Sequence, residues 1–174
     1  GTVANRILFT GPTNGQIADF VGGVGIQDGL LLTNAVNVVV RALLFRDFTN
    51  GIRLSGASTN NIFQNIVSRS NQRNGFFLYG GAVDANRFFS NTTHGVGAQA
   101  NGFLITNAAR NVFTNNTVMR NINDGFSLNG PGTANRIVAN IVRSNVDGVD
   151  ADGDACDGNF IIGNTIYENS DDGV

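Results

Sequence analysis

Three arginines recur at one position of a repeating sequence pattern. Arg46, Arg69 and Arg120 each follow a repeated asparagine by nine residues. On neighbouring units two guanidinium groups would stand about 5 Å apart and would repel each other unless an anion lay between them. A uronate or sulfate group of a glycan would be such an anion, so these arginines are candidate ligand-binding residues. The alternative is a row of solvated side chains without a ligand.

Two aromatic residues, Phe77 and Tyr79, are expected on the outer surface beside Leu104. They alternate with apolar residues that a strand would bury, which places them on its opposite face. Exposed rings are typical of a partner surface, and they could equally serve as a platform for sugar rings. Phe77 and Tyr79 are therefore further candidate ligand-binding residues, unless residues 91–99 or the N-terminal segment cover them.

Acidic residues are concentrated in the last third of the chain. Residues 124–174 hold nine acidic residues and two arginines, whereas residues 1–123 hold four acidic residues and nine arginines. Four of these carboxylates have a spacing similar to the start of an EF-hand loop, in which alternate oxygens reach one calcium ion. They are Asp150, Asp152, Asp154 and Asp157. The glutamate of the twelfth position is missing, so a calcium site, a solvated acidic loop and a catalytic acid pair all stay open. No other cofactor is expected.

The chain has one histidine, His94, and one cysteine, Cys156. His94 precedes a glycine in the longest insertion of the repeat and is predicted to be an exposed loop residue. Cys156 has no partner for an internal disulfide and is predicted to be a small buried residue, with an external bond or a reactive thiol as alternatives. No catalytic residue is assigned.

These side chains must be positioned by an internal repeat. An Asn or Asp followed by Gly recurs every 22 to 27 residues. The copies begin at Asp28, Asn50, Asn74, Asn101, Asp124, Asp147 and Asp172. Apolar residues follow each glycine at every second position, which predicts a strand with one buried face. The glycine is expected to supply the positive φ of a corner.

A second motif, N-x-[FIV]-x-x-N-x-[ILVT], lies between the dipeptides. It begins at Asn60, Asn86, Asn111, Asn135 and Asn159, with a variant at Asn37. Its first apolar column is predicted to be Val39, Ile62, Phe88, Phe113, Ile137 and Ile161, and its second Leu44, Val67, Thr93, Val118, Val142 and Ile166. Columns of like residues indicate a solenoid, in which each unit buries its apolar side chains only against the next. The asparagines are expected to form ladders at bends with left-handed backbone.

Composition excludes several classes of protein. A net charge of −2 and a pI near 5.1 argue against a nucleic-acid binder. No apolar run approaches 18 residues, so no membrane span is expected. Ile, Val, Leu and Phe make up about 30% of the chain, which is too apolar for a disordered protein.

Through these motifs, residues 28–174 resemble the right-handed parallel β-helix family. The resemblance implies an all-β solenoid of about six to seven coils of roughly 23–25 residues, with asparagine ladders and a stacked core of Ile, Val, Phe and Leu. Residues 1–27 are expected to form an irregular first coil or a segment near an N-terminal cap, and the repeats are expected to continue beyond Val174. A leucine-rich repeat is disfavoured because leucine is scarce and each unit has a second buried strand. A left-handed hexapeptide helix would need repeat lengths that are multiples of six.

The resemblance implies polysaccharide as the leading partner, and an extracellular or cell-surface structural or adhesive role. One alternative is a polysaccharide-modifying enzyme, such as a lyase, C5-epimerase or glycan hydrolase, with catalytic coils partly outside this segment. In such enzymes the outward positions of one stacked sheet carry the catalytic groups. Here those positions offer neither three adjacent carboxylates nor a D-P-H motif. Another alternative is a module that self-assembles through its open coil ends.

Overall fold

The protein folds as a parallel β-solenoid, which confirms the predicted all-β architecture. The computed structural model describes residues 2, 5–12, 14, 16–152 and 156–174, with Asp152 described by its backbone alone. Within these residues there are 20 strands in three parallel sheets and no helix. Each coil adds one strand to every sheet, giving six full coils and two strands of a seventh.

The first and second sheets have seven strands each, numbered in chain order. The first sheet contains β1 (Ile7–Thr10), β4 (Val38–Arg41), β7 (Ile62–Gln64), β10 (Arg87–Phe89), β13 (Val112–Thr114), β16 (Arg136–Val138) and β19 (Phe160–Ile162). The second sheet contains β2 (Ala18–Val21), β5 (Leu43–Arg46), β8 (Val67–Arg69), β11 (Thr92–His94), β14 (Thr117–Met119), β17 (Ile141–Arg143) and β20 (Thr165–Tyr167). From β4 onwards, only one or two residues separate a strand of the first sheet from the following strand of the second. The first coil differs, because seven residues separate β1 from β2.

The third sheet has six longer strands, which begin at or just after the Asn-Gly and Asp-Gly dipeptides. It contains β3 (Asp28–Thr33), β6 (Asn50–Ser55), β9 (Asn74–Tyr79), β12 (Asn101–Thr106), β15 (Phe126–Asn129) and β18 (Val149–Asp152). Its buried residues alternate with outward ones, as the period of two predicts.

The core between the sheets is built from stacked phenylalanines. Phe63, Phe88 and Phe113 stack along the first sheet with ring centroids 4.7 and 4.9 Å apart. Phe76, Phe103 and Phe126 stack along the third sheet at 4.7 and 4.8 Å. The two stacks meet edge to face at 5.2–6.3 Å. These side chains are fully buried, so the stacks fix the register between coils.

Buried amide ladders run along the corners of the solenoid. In each ladder the backbone and side-chain N–H groups of one residue donate to the side-chain oxygen of the equivalent residue in the next coil. The first ladder is Asn61, Asn86, Asn111, Asn135 and Asn159; the second is Asn91, Asn116, Asn140 and Asn164; the third is Asn71, Gln99, Asn121, Asn145 and Asn169. The predicted ladders are therefore present.

In the second and third coils the predicted register was wrong by one residue in the strands of the first and second sheets. Asn60 and Asn65 are exposed corner residues with φ of 55° and 52°, and the ladder residue is Asn61. A slip of one residue exchanges the two faces of a strand. The core columns therefore contain not Val39, Ile62, Leu44 and Val67 but Val40, Phe63, Phe45 and Ser68.

The roles predicted for glycine and asparagine at the corners were also wrong. Left-handed φ occurs at the residue before each ladder asparagine, as at Arg110 and Asn115, and not at the asparagine itself. The glycines of the dipeptides have ordinary φ, and all except the last, Gly173, have no room for a side chain. A Cβ on Gly75, for example, would lie 2.6 Å from the carbonyl oxygen of Gly102 in the next coil. Close packing between coils, not φ, is what requires glycine there.

Candidate functional site

The outward column of the third sheet changes from basic and aromatic to acidic along the solenoid. Its members face one another in the predicted register: Leu31, Arg53, Phe77, Leu104, Ser127 and Asp150. The basic and aromatic part borders a concave surface, whereas the acidic part lies two coils further on. We take the concave surface as the candidate site.

A cleft of about 650 Å³ lies where the corners after the second sheet meet the outer face of the third sheet. Its walls come from four successive coils, the first of which contributes Gln27, so the cleft runs along the solenoid axis. The lining residues include Thr49, Asn50, Arg53, Gln72, Arg73, Asn74, Phe77, Ala100, Asn101 and Leu104. The cleft therefore combines two guanidinium groups, several amides and one aromatic ring.

Arg53 is held in the cleft without using up its hydrogen-bond donors. Its guanidinium carbon lies 5.4 Å from the ring centroid of Phe77, a cation–π contact. Its nearest nitrogen is 3.8 Å from the Asp28 carboxylate, which is an ion pair too long for a direct hydrogen bond. The Arg53 Nε atom is buried and has no hydrogen-bond partner among the described residues. The terminal nitrogens of Arg53 make no hydrogen bond to the described residues either, and because 31% of the side chain is exposed they can donate to a polar ligand.

The amides at the edge of the cleft form a fourth ladder, which the dipeptide repeat did not reveal. Asn50 donates to Asp28 at 2.8 Å, Asn74 donates to Asn50 at 2.8 Å, and Asn101 donates to Asn74 at 3.1 Å. Asn50 and Asn74 are buried. Each amide is fixed by its neighbours, so the cleft has a preformed polar edge.

The two predicted aromatic residues lie side by side on the outer face. Their ring centroids are 5.8 Å apart. Phe77 is half-buried and lines the cleft, while Tyr79 is 48% exposed and is not part of its lining. The pair therefore forms a surface that leads from the cleft to solvent.

The three predicted arginines do not form one column. Arg46 and Arg69 face each other on β5 and β8, but Arg120 lies one residue past β14. Arg46 is paired with Asp19 at 3.0 Å and Asp47 at 2.8 Å, and these partners raise the pKa of its guanidinium. The positive charge of Arg46 is therefore balanced by carboxylates of the protein itself.

The predicted loop position of His94 was wrong. His94 ends β11 and faces Arg69 on one side and Met119 on the other. The same column continues to Arg143, which sequence reasoning missed. Burial lowers the pKa of His94, and the charges of Arg120, Arg69 and Arg143 lower it further.

The acidic part of the third sheet is centred on Asp124. Burial raises its pKa, as do the charges of Asp150 and Asp147, while a hydrogen bond from Ser127 opposes the shift. The sequence does not single out Asp124 and Asp147 as site residues, because each belongs to an Asp-Gly dipeptide of the repeat.

Of the predicted calcium ligands, Asp150 lies outward on β18 and Asp157 is exposed. Asp152 is in the same strand, its side chain not described, and Asp154 lies outside the described residues. Among described residues no group of three His, Cys, Asp or Glu could hold a metal ion. The calcium site stays a prediction.

Cys156 is half-buried and packs against the core. Its Sγ lies 3.3 Å from the carbonyl oxygen of Leu128 and 3.2 Å from that of Gly130. The described part of the chain has no helix that could cross a membrane.

Comparisons with known proteins agree with the fold. Residues 28–174 match the family described as the right handed beta helix region. The periplasmic alginate epimerase AlgG superposes with a TM-score of 0.74 at 15% identity, over 87% of this chain and 39% of that one. DFA-IIIase from Arthrobacter chlorophenolicus A6, in complex with DFA-III, superposes with a TM-score of 0.64 at 16% identity, over 80% of this chain and 34% of that one. The chain thus spans between a third and two fifths of these structures. No curated protein sequence matches it.

Proposed function

The chain belongs to the right-handed β-helix family, and from that premise we propose that it binds polysaccharide through the third-sheet cleft. The proposed role is that of an extracellular or cell-surface structural or adhesive solenoid. The observation that carries the proposal is the cleft itself, where the Phe77 ring lies beside Arg53, Arg73 and fixed amides. The name of one similar structure, an alginate epimerase, gives a polysaccharide as its substrate.

The chemistry of the cleft suits a sugar chain. Sugar rings present C–H faces that pack on an aromatic ring, and hydroxyl groups that exchange hydrogen bonds with amides and guanidinium groups. Ligand sites generally combine such an apolar surface with a few fixed polar groups. Because the cleft crosses four coils, it offers these contacts to several successive sugar residues.

Affinity gel electrophoresis with polygalacturonate, alginate or neutral dextran in the gel tests the proposal. The protein should be retarded by at least one of these glycans, and Phe77→Ala should weaken the retardation about tenfold or more. Phe89→Ala is the matched control, because Phe89 is a half-buried outward ring on the first sheet. Arg73→Ala should also weaken retardation, whereas Arg136→Ala, which removes an equally exposed arginine elsewhere, should not. Absence of retardation by all three glycans would refute the proposal.

The enzymatic alternative has one supporting observation, the raised pKa of Asp124, which would suit a general acid. An enzyme would release unsaturated uronide or reducing ends from the glycan that retards it, and Asp124→Asn would abolish the release. A binding protein would be retarded without releasing product.

The self-assembly alternative predicts particles that lengthen with protein concentration in light scattering.

A further inference from the structure

The outer face of the second sheet carries a row of cationic side chains that the cleft does not use. Arg69 on β8 faces His94 on β11, and two strands further on Arg143 ends β17. Arg120 adds a further charge, because it directly follows Met119, the residue between His94 and Arg143. From Arg69 to Arg143 the row spans three coil steps, or about 14 Å.

Most of this row has no carboxylate partner. Within the described residues, the ion pairs of the second sheet end at Arg46, and neither Arg69, Arg120 nor Arg143 forms one. Arg143 donates to the Met119 sulfur at 3.1 Å, which fixes the guanidinium but leaves its charge in place. Glu168 is the acidic residue at the corner after β20, and its carboxylate oxygen lies 3.5 Å from the Ser144 hydroxyl.

The half-buried imidazole of His94 lies in the positive electrostatic field of these arginines. Burial lowers its pKa first, and the charges of Arg120, Arg69 and Arg143 lower it further. The other strands beside it add no titratable side chain, since β12 and the rest of β8 and β14 have none. An anion between these groups would relieve the repulsion among them.

We propose that Arg69, His94, Arg120 and Arg143 form a cationic track, a surface that binds a linear polyanion lying parallel to the solenoid axis. Guanidinium groups on different coils would each take an oxyanion, for which their planar donors are well suited. The ligand class is an acidic glycan with regularly spaced carboxylate or sulfate groups. This identification of the ligand as a glycan rests on the proposed function, but the track is a separate surface from the cleft.

The only histidine of the chain makes the proposal directly measurable by NMR. The probes are polygalacturonate for carboxylates, dextran sulfate for sulfates, and neutral dextran as the control. From about pH 5 to 8, where carboxylates and sulfates stay ionised, either polyanion should raise the pKa of His94 by about one unit. By linkage, binding then becomes about tenfold tighter as pH falls through that pKa. Neutral dextran should leave the pKa unchanged. An unchanged His94 pKa at saturating amounts of both polyanions would overturn the proposal.

Variants separate this track from the cleft. Arg69→Ala and Arg143→Ala should each weaken retardation by the active polyanion several-fold and reduce its salt dependence, whereas Arg136→Ala should do neither. If Phe77→Ala weakens retardation and the two track variants do not, the track is wrong and the cleft stands. If the track variants weaken it and Phe77→Ala does not, the cleft is wrong and the track stands. An equal rise of the His94 pKa with oligo(dT) would overturn the assignment to a glycan.

Discussion

Replacing Asn116 by alanine should destabilise the protein strongly, because this side chain connects three coils. Its amide nitrogen donates to the Phe88 carbonyl at 3.0 Å and to Asn140 at 2.9 Å. Its amide oxygen accepts the backbone and side-chain N–H groups of Asn91 at 3.0 and 3.1 Å. Asn116 and Asn91 are almost completely buried.

The magnitude follows from these four hydrogen bonds. A typical bond contributes about 0.5–1.5 kcal/mol net, and a buried donor left without an acceptor costs about 1–3 kcal/mol. After the substitution the Asn91 side chain still donates to the Phe63 carbonyl, but its backbone N–H loses its ladder acceptor. We expect a loss of about 3–5 kcal/mol in the free energy of unfolding, a large share of the stability of an ordinary domain.

Asn115→Ala is the matched control. Asn115 is exposed and has a φ of 56°, and alanine occupies the equivalent corners at Ala42 and Ala139 with φ of 55° and 54°. The control should therefore lose only about 1–2 kcal/mol. Urea unfolding followed by circular dichroism measures both variants. If Asn116→Ala lowers the unfolding free energy no more than Asn115→Ala, the ladder does not stabilise the solenoid as argued.

Three further predictions concern other columns. Gly102→Ala should prevent folding or lower the urea midpoint sharply, because a Cβ there would meet three heavy atoms at 2.5–2.6 Å. The control Gly81→Ala should be tolerated, because the nearest atom to its Cβ would be 3.7 Å away. Burial and neighbouring carboxylates raise the pKa of Asp124, so ionising it costs the folded state free energy. The difference in urea midpoint between Asp124→Asn and the wild type should therefore shift in favour of the variant as pH rises from about 3 to 7. The exposed control Asp171→Asn should show no such shift. If the predicted calcium site exists, calcium should raise the melting temperature and Asp152→Asn should abolish that rise; a rise that survives this substitution would contradict the site.

The sequence predicted the fold because the same residue types recur at nearly fixed intervals, and only stacking can bury them. It failed on register where two asparagines are adjacent, as at Asn60 and Asn61. Asparagine is favoured both at a left-handed corner and in a ladder, so its presence does not say which role it has. The following residues, Ile62 and Phe63, are both apolar and do not decide which of them is buried. In later coils the corner residue before the first ladder is alanine, arginine or glycine, as at Ala85, and the ambiguity disappears.

The site was harder to predict than the fold because it depends on register in columns that vary. His94 is eight residues after the ladder residue Asn86, as Met119 is after Asn111 and Arg143 after Asn135. Counting from the ladder would have placed His94 on a strand. No count could have shown the cleft, because its depth depends on how far the corner residues extend past the third sheet.

The charge difference between the two parts of the chain follows from where each column lies. The third sheet becomes acidic from Asp124 onwards, so a polyanion extending along the cleft would meet repulsion there. The second sheet stays basic for longer, because Arg143 is one of two arginines after residue 123. A polyanion long enough to pass the fourth coil would therefore lie more favourably on the cationic track. Inward columns and ladders hold the coils together, and the outward columns with the corner residues beside them determine which ligands each face can bind.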